Sequence, residues 1–147
     1  MMSGRSIQDL LAAGLIEKGT GDSEEIVALI ESAEQGLRGA RPVIADDPVR
    51  SVSQMYDALY SACRAFMQSQ GYRVVVGDDY AVVLEFCEAS LDRKEVETLK
   101  AFDAAERRRH DEMYDGCFSL TSEDATIMFT RARKFIARIK TVLAISK

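Results

Sequence analysis

The chain has 147 residues, 47% of them hydrophobic and 29% charged, and its 19 basic and 24 acidic side chains leave a net charge of −5. That balance excludes a disordered chain, and it excludes a wholesale nucleic-acid binder, which needs an excess of Lys and Arg. With 2 Pro and 9 Gly there is too little turn chemistry for a many-stranded sheet, and a single His excludes metal sites built on several histidines.

In chain order, residues 6–13 (SIQDLLAA) predict a short helix that Gly14 stops. After the polar turn at 18–22, Asp22 reads as an N-cap, with Glu25 closing a capping box. Ile26, Leu29, Ile30, Ala33 and Leu37 then recur at helical spacing up to Gly39. Residues 40–46 read as a linker. Asp47 and Pro48 mark the clearest boundary, because Asp caps and Pro fits the first turn, where its missing N–H is not needed. A third helix follows, with the stripe Val52, Met55, Tyr56, Leu59, Cys63, Phe66 and Met67, and Gly71 ends it. Residues 72–76 (YRVVV) are β-branched, but a lone strand has no partner, so an extended loop is expected. A fourth helix starts near Asp78 or Asp79 and uses Val83, Phe86 and Cys87. Asp92 with Glu95 opens a fifth, continuing to about residues 115–116, and Thr121 with Asp124 opens a sixth. The sixth buries Met128, Ala132, Phe135, Ile139 and Val142, widened by Phe129, Ile136 and Leu143.

The expected fold is therefore all-α, one domain over residues 1–147. Residues 1–21 form a short N-terminal helix and turn. Residues 22–145 form a bundle of four long helices, with one further short helix between the third and fifth. Cys63, Cys87 and Cys117 are odd in number, widely spaced and set among apolar residues, so they read as reduced core thiols. No segment has the length of apolar run that spans a bilayer, and no signal-peptide core is present, so a cytoplasmic protein without membrane contact is expected.

The fifth helix carries the unusual pattern. Its stripe is Val96, Leu99, Phe102, Glu106, Arg109 and Met113, so two charged positions lie in line with four apolar ones. A buried guanidinium needs a partner, and Glu106 is one turn away from Arg109. One reading has Arg109 reaching water as the helix end leaves the core. The other has it pointing into a groove or an interface. Arg107, Arg108, Arg109 and His110 form a basic cluster that suits a helix C-terminus. His110 and Tyr114 share a face. On the sixth helix Arg131, Lys134 and Arg138 make a positive stripe, read either as a solvated face or as part of a phosphate-attracting surface.

Other chemical templates fail. Gly19, Thr20 and Gly21 lack the Lys and Ser/Thr of a phosphate loop. No Glu-x-x-His pair exists for a di-iron bundle. A His-assisted nucleophile would need His110, and nothing marks its Ser or Cys. No metal or cofactor is expected.

The runs at 56–65 (YDALYSACRA), 70–73 (QGYR) and 102–115 (FDAAERRRHDEMYD), with the short helix leading into 14–17 (GLIE), resemble a HEPN domain, and especially its small stand-alone bacterial members. The likeness runs from Ile7 to Leu143. It implies a four- or five-helix bundle that dimerises. Members include toxins of toxin–antitoxin pairs encoded beside a nucleotidyltransferase, RNases of host defence, and domains that have lost catalysis and serve in binding. Active members carry Arg, a polar residue, a short spacer and His near the end of a long helix, and two chains bring two such motifs into one cleft.

Carried onto this chain, the resemblance implies Arg109 as the motif Arg and His110 as its polar neighbour. Tyr114 stands where a four-residue spacer would put the His. Arg109 would hold phosphate, His110 would assist proton transfer, and Tyr114 would donate a hydrogen bond or accept a nucleotide from a partner enzyme. Glu106, Arg107, Arg108, Arg131, Lys134 and Arg138 are the accompanying binding candidates. The expected function is a homodimeric toxin or defence component that contacts RNA or a nucleotide, with weak or absent metal-independent endoribonuclease activity. The alternative is a non-catalytic dimerisation and interaction module for a nucleotidyltransferase or antitoxin.

Overall fold

The computed structural model describes residues 5–19, 21–75, 80–113 and 120–145, with backbone alone at 109–113 and 145. Its elements are α1 (Ile7–Ala12), β1 (Ile16–Lys18), α2 (Ser23–Ala40), a 3-10 turn (Arg41–Val43), α3 (Pro48–Ser69), β2 (Tyr72–Val74), α4 (Tyr80–Ser90), α5 (Arg93–Met113) and α6 (Ser122–Ile145). The described residues form an all-α bundle of four long helices and two short ones, as the periodicity predicts.

Local chemistry sets most helix ends. Ser6 and Asp9 form a reciprocal capping box at 3.1 Å in both directions. Gly14, at φ +73°, closes α1 with the Gly14 amide on the Leu11 carbonyl and the Leu15 amide on the Leu10 carbonyl, a Schellman arrangement. Asp47 accepts from the Arg50 amide at 3.1 Å ahead of Pro48. Gly71, at φ +86°, ends α3. Thr121 and Asp124 cap α6 reciprocally. Asp22 caps α2 through the Glu24 amide at 2.9 Å. Glu25 goes elsewhere: its carboxylate accepts from Gln68 of α3 at 3.0 Å and lies 3.8 Å from Arg64. The capping box expected there gives way to a helix–helix contact.

The segment expected as an extended loop is a strand. β2 pairs antiparallel with β1 in the register Ile16↔Val74, Glu17↔Arg73 and Lys18↔Tyr72. Its partner comes from the N-terminal segment, which local reading of 72–76 could not supply. The directly opposed Glu17 and Arg73 form an ion pair at 2.8 Å, and the Gly19 and Val75 amides extend the ladder at either end. Within 40–46, the 3-10 turn occupies part of the expected linker.

α3 is the central element, touching α2, α4, α5, α6 and β2. Its predicted stripe is buried except for Tyr56, which is half-buried. Ser51, Ala58, Ala62 and Ala65 also face inward, and the small side chains let α2 approach closely. Ser51 Oγ donates to the Ala40 carbonyl at 2.6 Å, which satisfies an end-of-helix acceptor. Leu99 and Phe102 bring α5 into the core, and Ala132, Phe135, Ile136 and Ile139 bring in α6. Cys63 and Cys87 are fully buried free thiols, as expected of core cysteines; Cys117 lies outside the described residues, as do Asp78 and Asp79, where the fourth helix was expected to start. At the N-terminus Arg5 makes two bonds to the buried Glu85 carboxylate of α4, at 2.7 and 2.6 Å.

Ser122 Oγ bonds the Ile44 carbonyl, and Arg138 reaches Asp92 and Glu95. α6 therefore begins beside the α2–α3 connection and runs antiparallel to α5. Among the described residues no helix is long and apolar enough to cross a membrane.

Candidate functional site

One face of α3 carries Ser53, Tyr56, Asp57, Tyr60 and Arg64, spaced at threes and fours. This is the 56–65 run of the resemblance with one residue added before it. Tyr80, the first residue of α4, stacks on this face. Its ring lies 3.9 Å from Tyr60 and 5.8 Å from Tyr56, centroid to centroid, with interplanar angles of 21° and 7°. The Tyr80 hydroxyl donates to Asp57 at 3.3 Å, and the Arg64 guanidinium lies 6.0 Å from the Tyr60 ring. The result is a line of three tyrosines with a cation at one end, which ties α4 to α3.

At the other end of the line stands α5. Ser53 Oγ donates to Glu106 at 3.0 Å. Burial pushes the Tyr56 phenol well above its ordinary pKa, and the negative charges of Asp103 and Glu106 push it further. The Glu106 position in the α5 stripe thus faces α3 and is half-buried, although it is charged. Helical spacing puts position 109 one turn on along the same stripe. The side chains of Arg109 and His110, and all of Tyr114, lie outside the described residues.

The remaining basic candidates divide. Arg107 pairs with Asp103 four residues back, at 3.1 Å, and Arg108 is exposed. Arg131, Lys134 and Arg138 line a groove of about 710 Å³ against Asp92, Glu95 and Thr98 in the first turns of α5. That is the opposite end of α5 from Arg107 and Arg108. Arg138 is held there by Glu95 at 3.2 Å and Asp92 at 3.1 Å, the two carboxylates read from sequence as a helix cap.

A second cavity, of about 390 Å³, lies between the Gly19–Gly21 turn and α3, with Tyr60, Arg64 and Arg73 on its walls. Both arginines face carboxylates, Arg64 that of Glu25 and Arg73 that of Glu17, so the cavity is charge-balanced. Sequence reasoning found Tyr56, Tyr60 and Arg64 as parts of one run. Asp57 belongs to the same run; Ser53 and Tyr80 were missed, because their roles depend on which helices become neighbours. No protein-family model, no curated protein and no solved structure matches the chain.

Proposed function

We propose that this protein is a HEPN-type helical protein that works as a homodimer in a toxin–antitoxin or defence setting, contacting RNA or a nucleotide through the last turns of α5. The observation that carries the reading is the Ser53–Glu106 hydrogen bond. It turns the polar end of the α5 stripe toward α3, so the stripe continues inward past Phe102 instead of turning out to solvent. A helical bundle is what the resemblance implies, and the described parts of three of its runs fall on α3, on the α3–β2 junction and on α5.

In this reading Arg109 holds a phosphate, His110 assists proton transfer and Tyr114 donates a hydrogen bond. With Tyr114 in the family's His position, cleavage is slow. The test compares RNA cleavage by the purified wild type with Arg109→Ala and His110→Ala. Loss of cleavage in both variants is expected, and equal cutting by all three proteins refutes the assignment.

A non-catalytic module that binds a nucleotidyltransferase or antitoxin is the second reading. It is favoured by the engagement of Glu106 and Arg107 in contacts within the bundle. Expression in a bacterial host separates the two. Growth arrest that Arg109→Ala abolishes supports the first; no arrest, with a stable complex formed with a nucleotidyltransferase or antitoxin, supports the second.

A further inference from the structure

Cys63 of α3 and Cys87 of α4 meet inside the core, 24 residues apart in the chain and both fully buried. The Cys87 thiol donates to the Cys63 carbonyl at 3.7 Å and lies within hydrogen-bonding reach of the Cys63 thiol. Phe66, one turn after Cys63, packs on Phe86, the residue before Cys87, with ring centroids 6.2 Å apart. The seam between the two helices therefore holds the sulfurs side by side. A cysteine that serves only as a small core hydrophobe needs no second sulfur beside it. The cavity of about 390 Å³ next to α3 leads toward the pair. Its walls include Tyr60 and Met67, three residues before and four after Cys63, and Val83, four before Cys87. Helical spacing puts those three side chains on the faces that carry the thiols.

We infer that Cys63 and Cys87 are a peroxide-sensitive lock, which closes to a disulfide and fastens α4 to α3. Hydrogen peroxide, small and uncharged, is the oxidant that such a cavity admits. The Cys63 sulfur attacks one peroxide oxygen and the O–O bond breaks. The departing hydroxide takes the Cys63 proton and leaves as water, and Cys63 is then a sulfenic acid. The Cys87 sulfur attacks the Cys63 sulfur, the S–S bond forms, and the sulfenic oxygen leaves as a second water with the Cys87 proton. Two thiols are oxidised and one peroxide is reduced. Burial, and the Cys63 sulfur beside it, push the Cys87 thiol up, so Cys87 keeps its proton and is the resolving member. Closure to an S–S bond of about 2.05 Å is a side-chain movement for sulfurs already in hydrogen-bonding reach. α4 brings Tyr80 onto Tyr56 and Tyr60 and gives Glu85 to Arg5, so fastening it fixes both the tyrosine line and the N-terminal segment. Neither cysteine belongs to the α5 site, and the lock stands or falls apart from any RNA contact.

The experiment treats the folded full-length chain with graded hydrogen peroxide, blocks the remaining thiols with an alkylating agent and digests without reduction. Trypsin leaves Cys63, Cys87 and Cys117 in separate peptides, 51–64, 74–93 and 110–131, so mass spectrometry reads each pairing directly. Peptides 51–64 and 74–93 are expected to be joined, with the loss of two hydrogens, in the wild type and in Cys117→Ala alike, and the far-ultraviolet circular dichroism is expected to stay unchanged. The Tm is expected to rise by about 5–10 °C, because the bond closes a loop of roughly 25 residues, and dithiothreitol returns it to its starting value. Cys87→Ala is expected to carry oxygen on peptide 51–64 and to show no rise in Tm.

Absence of the 51–64 to 74–93 link in the folded chain, at peroxide doses that oxidise the urea-unfolded chain, overturns the inference. So does a link from either cysteine to Cys117 in its place, or a linked protein that melts at or below the temperature of the reduced one. If Cys87→Ala fails to fold, the wild type and Cys117→Ala still decide the pairing and the shift in Tm.

Discussion

The Arg5–Glu85 pair is where a single substitution is expected to report most directly on how the N-terminal segment is held. Glu85 sits on α4 with 8% of its side chain exposed, and Arg5 reaches it with 39% of its own exposed. Nε and Nη2 donate to separate carboxylate oxygens at 2.7 and 2.6 Å. A charge-assisted hydrogen bond contributes about 1.5–3 kcal/mol when desolvated. Breaking a fully buried ion pair costs about 3–5 kcal/mol, because the remaining charge loses its partner. Arg5 is more than a third exposed, so solvent screening reduces this, and Arg5→Ala is expected to cost about 2 kcal/mol. At this chain length that is a fall in Tm of about 4–8 °C. Urea unfolding and thermal melting of Arg5→Ala, Glu85→Gln and the double variant give a complete cycle, with an expected coupling energy of about 1–2 kcal/mol. Single variants that each cost less than about 0.5 kcal/mol and add without coupling would refute the reasoning, since the pair would then be a screened surface contact.

The glycines offer a contrast in sign. A Cβ at Gly21 would sit 2.5 Å from the Gln68 carbonyl oxygen, so Gly21→Ala is expected to cost about 1–3 kcal/mol. A Cβ at Gly39, inside α2, meets nothing within 4 Å, and Gly39→Ala is expected to stabilise by about 0.5–1 kcal/mol; urea midpoints that move in the same direction for both contradict this account. Tyr56 predicts an alkaline effect. Its folded-state pKa is raised above the ordinary 10.0, so its contribution is complete below pH 10 and is lost as pH rises above that value, where the unfolded chain ionises first. Stability of Tyr56→Phe measured from pH 9 to 11.5 should fall less steeply than that of wild type, and parallel curves would show that the phenol is not held in its neutral form.

How much of this was legible in the sequence depends on the range of the interaction. Asp47 with Pro48, and Thr121 with Asp124, are contacts within one turn, and each forms the cap its spacing predicts; the Ser6–Asp9 box is equally local, although residues 6–13 read only as helix. Among the described residues Gly14 and Gly71 are the positive-φ glycines, and both stand where the helical pattern stops. The stripes on α3 and α6 turn inward, with Tyr56 and the ends of the α6 stripe half-buried, because helical periodicity fixes a face before any neighbour arrives. Cys63 follows from the α3 stripe and Cys87 from that of α4.

The candidate site was legible only as a list of residue types. Glu106 stood out as a charge in line with Leu99 and Phe102, but its bond to Ser53 joins helices that are far apart in the chain. Glu25 and Glu95 look alike in sequence, each three residues beyond an Asp. One bridges α2 to α3 and the other takes Arg138 of α6. A carboxylate near a helix start can cap or cross-link, and the choice falls to whichever guanidinium or amide the packing brings within reach.

Helix positions, stops and buried faces were thus determined by residues within about one turn of each other, where covalent geometry leaves few alternatives. The pairing of β1 with β2, the stacking of Tyr80 on Tyr56 and Tyr60, and the placing of Arg41 over the Phe129 ring were decided only by tertiary structure. Each joins segments whose separation in the chain carries no local signal, and they meet because burying the apolar faces of the helices against one another leaves those segments side by side.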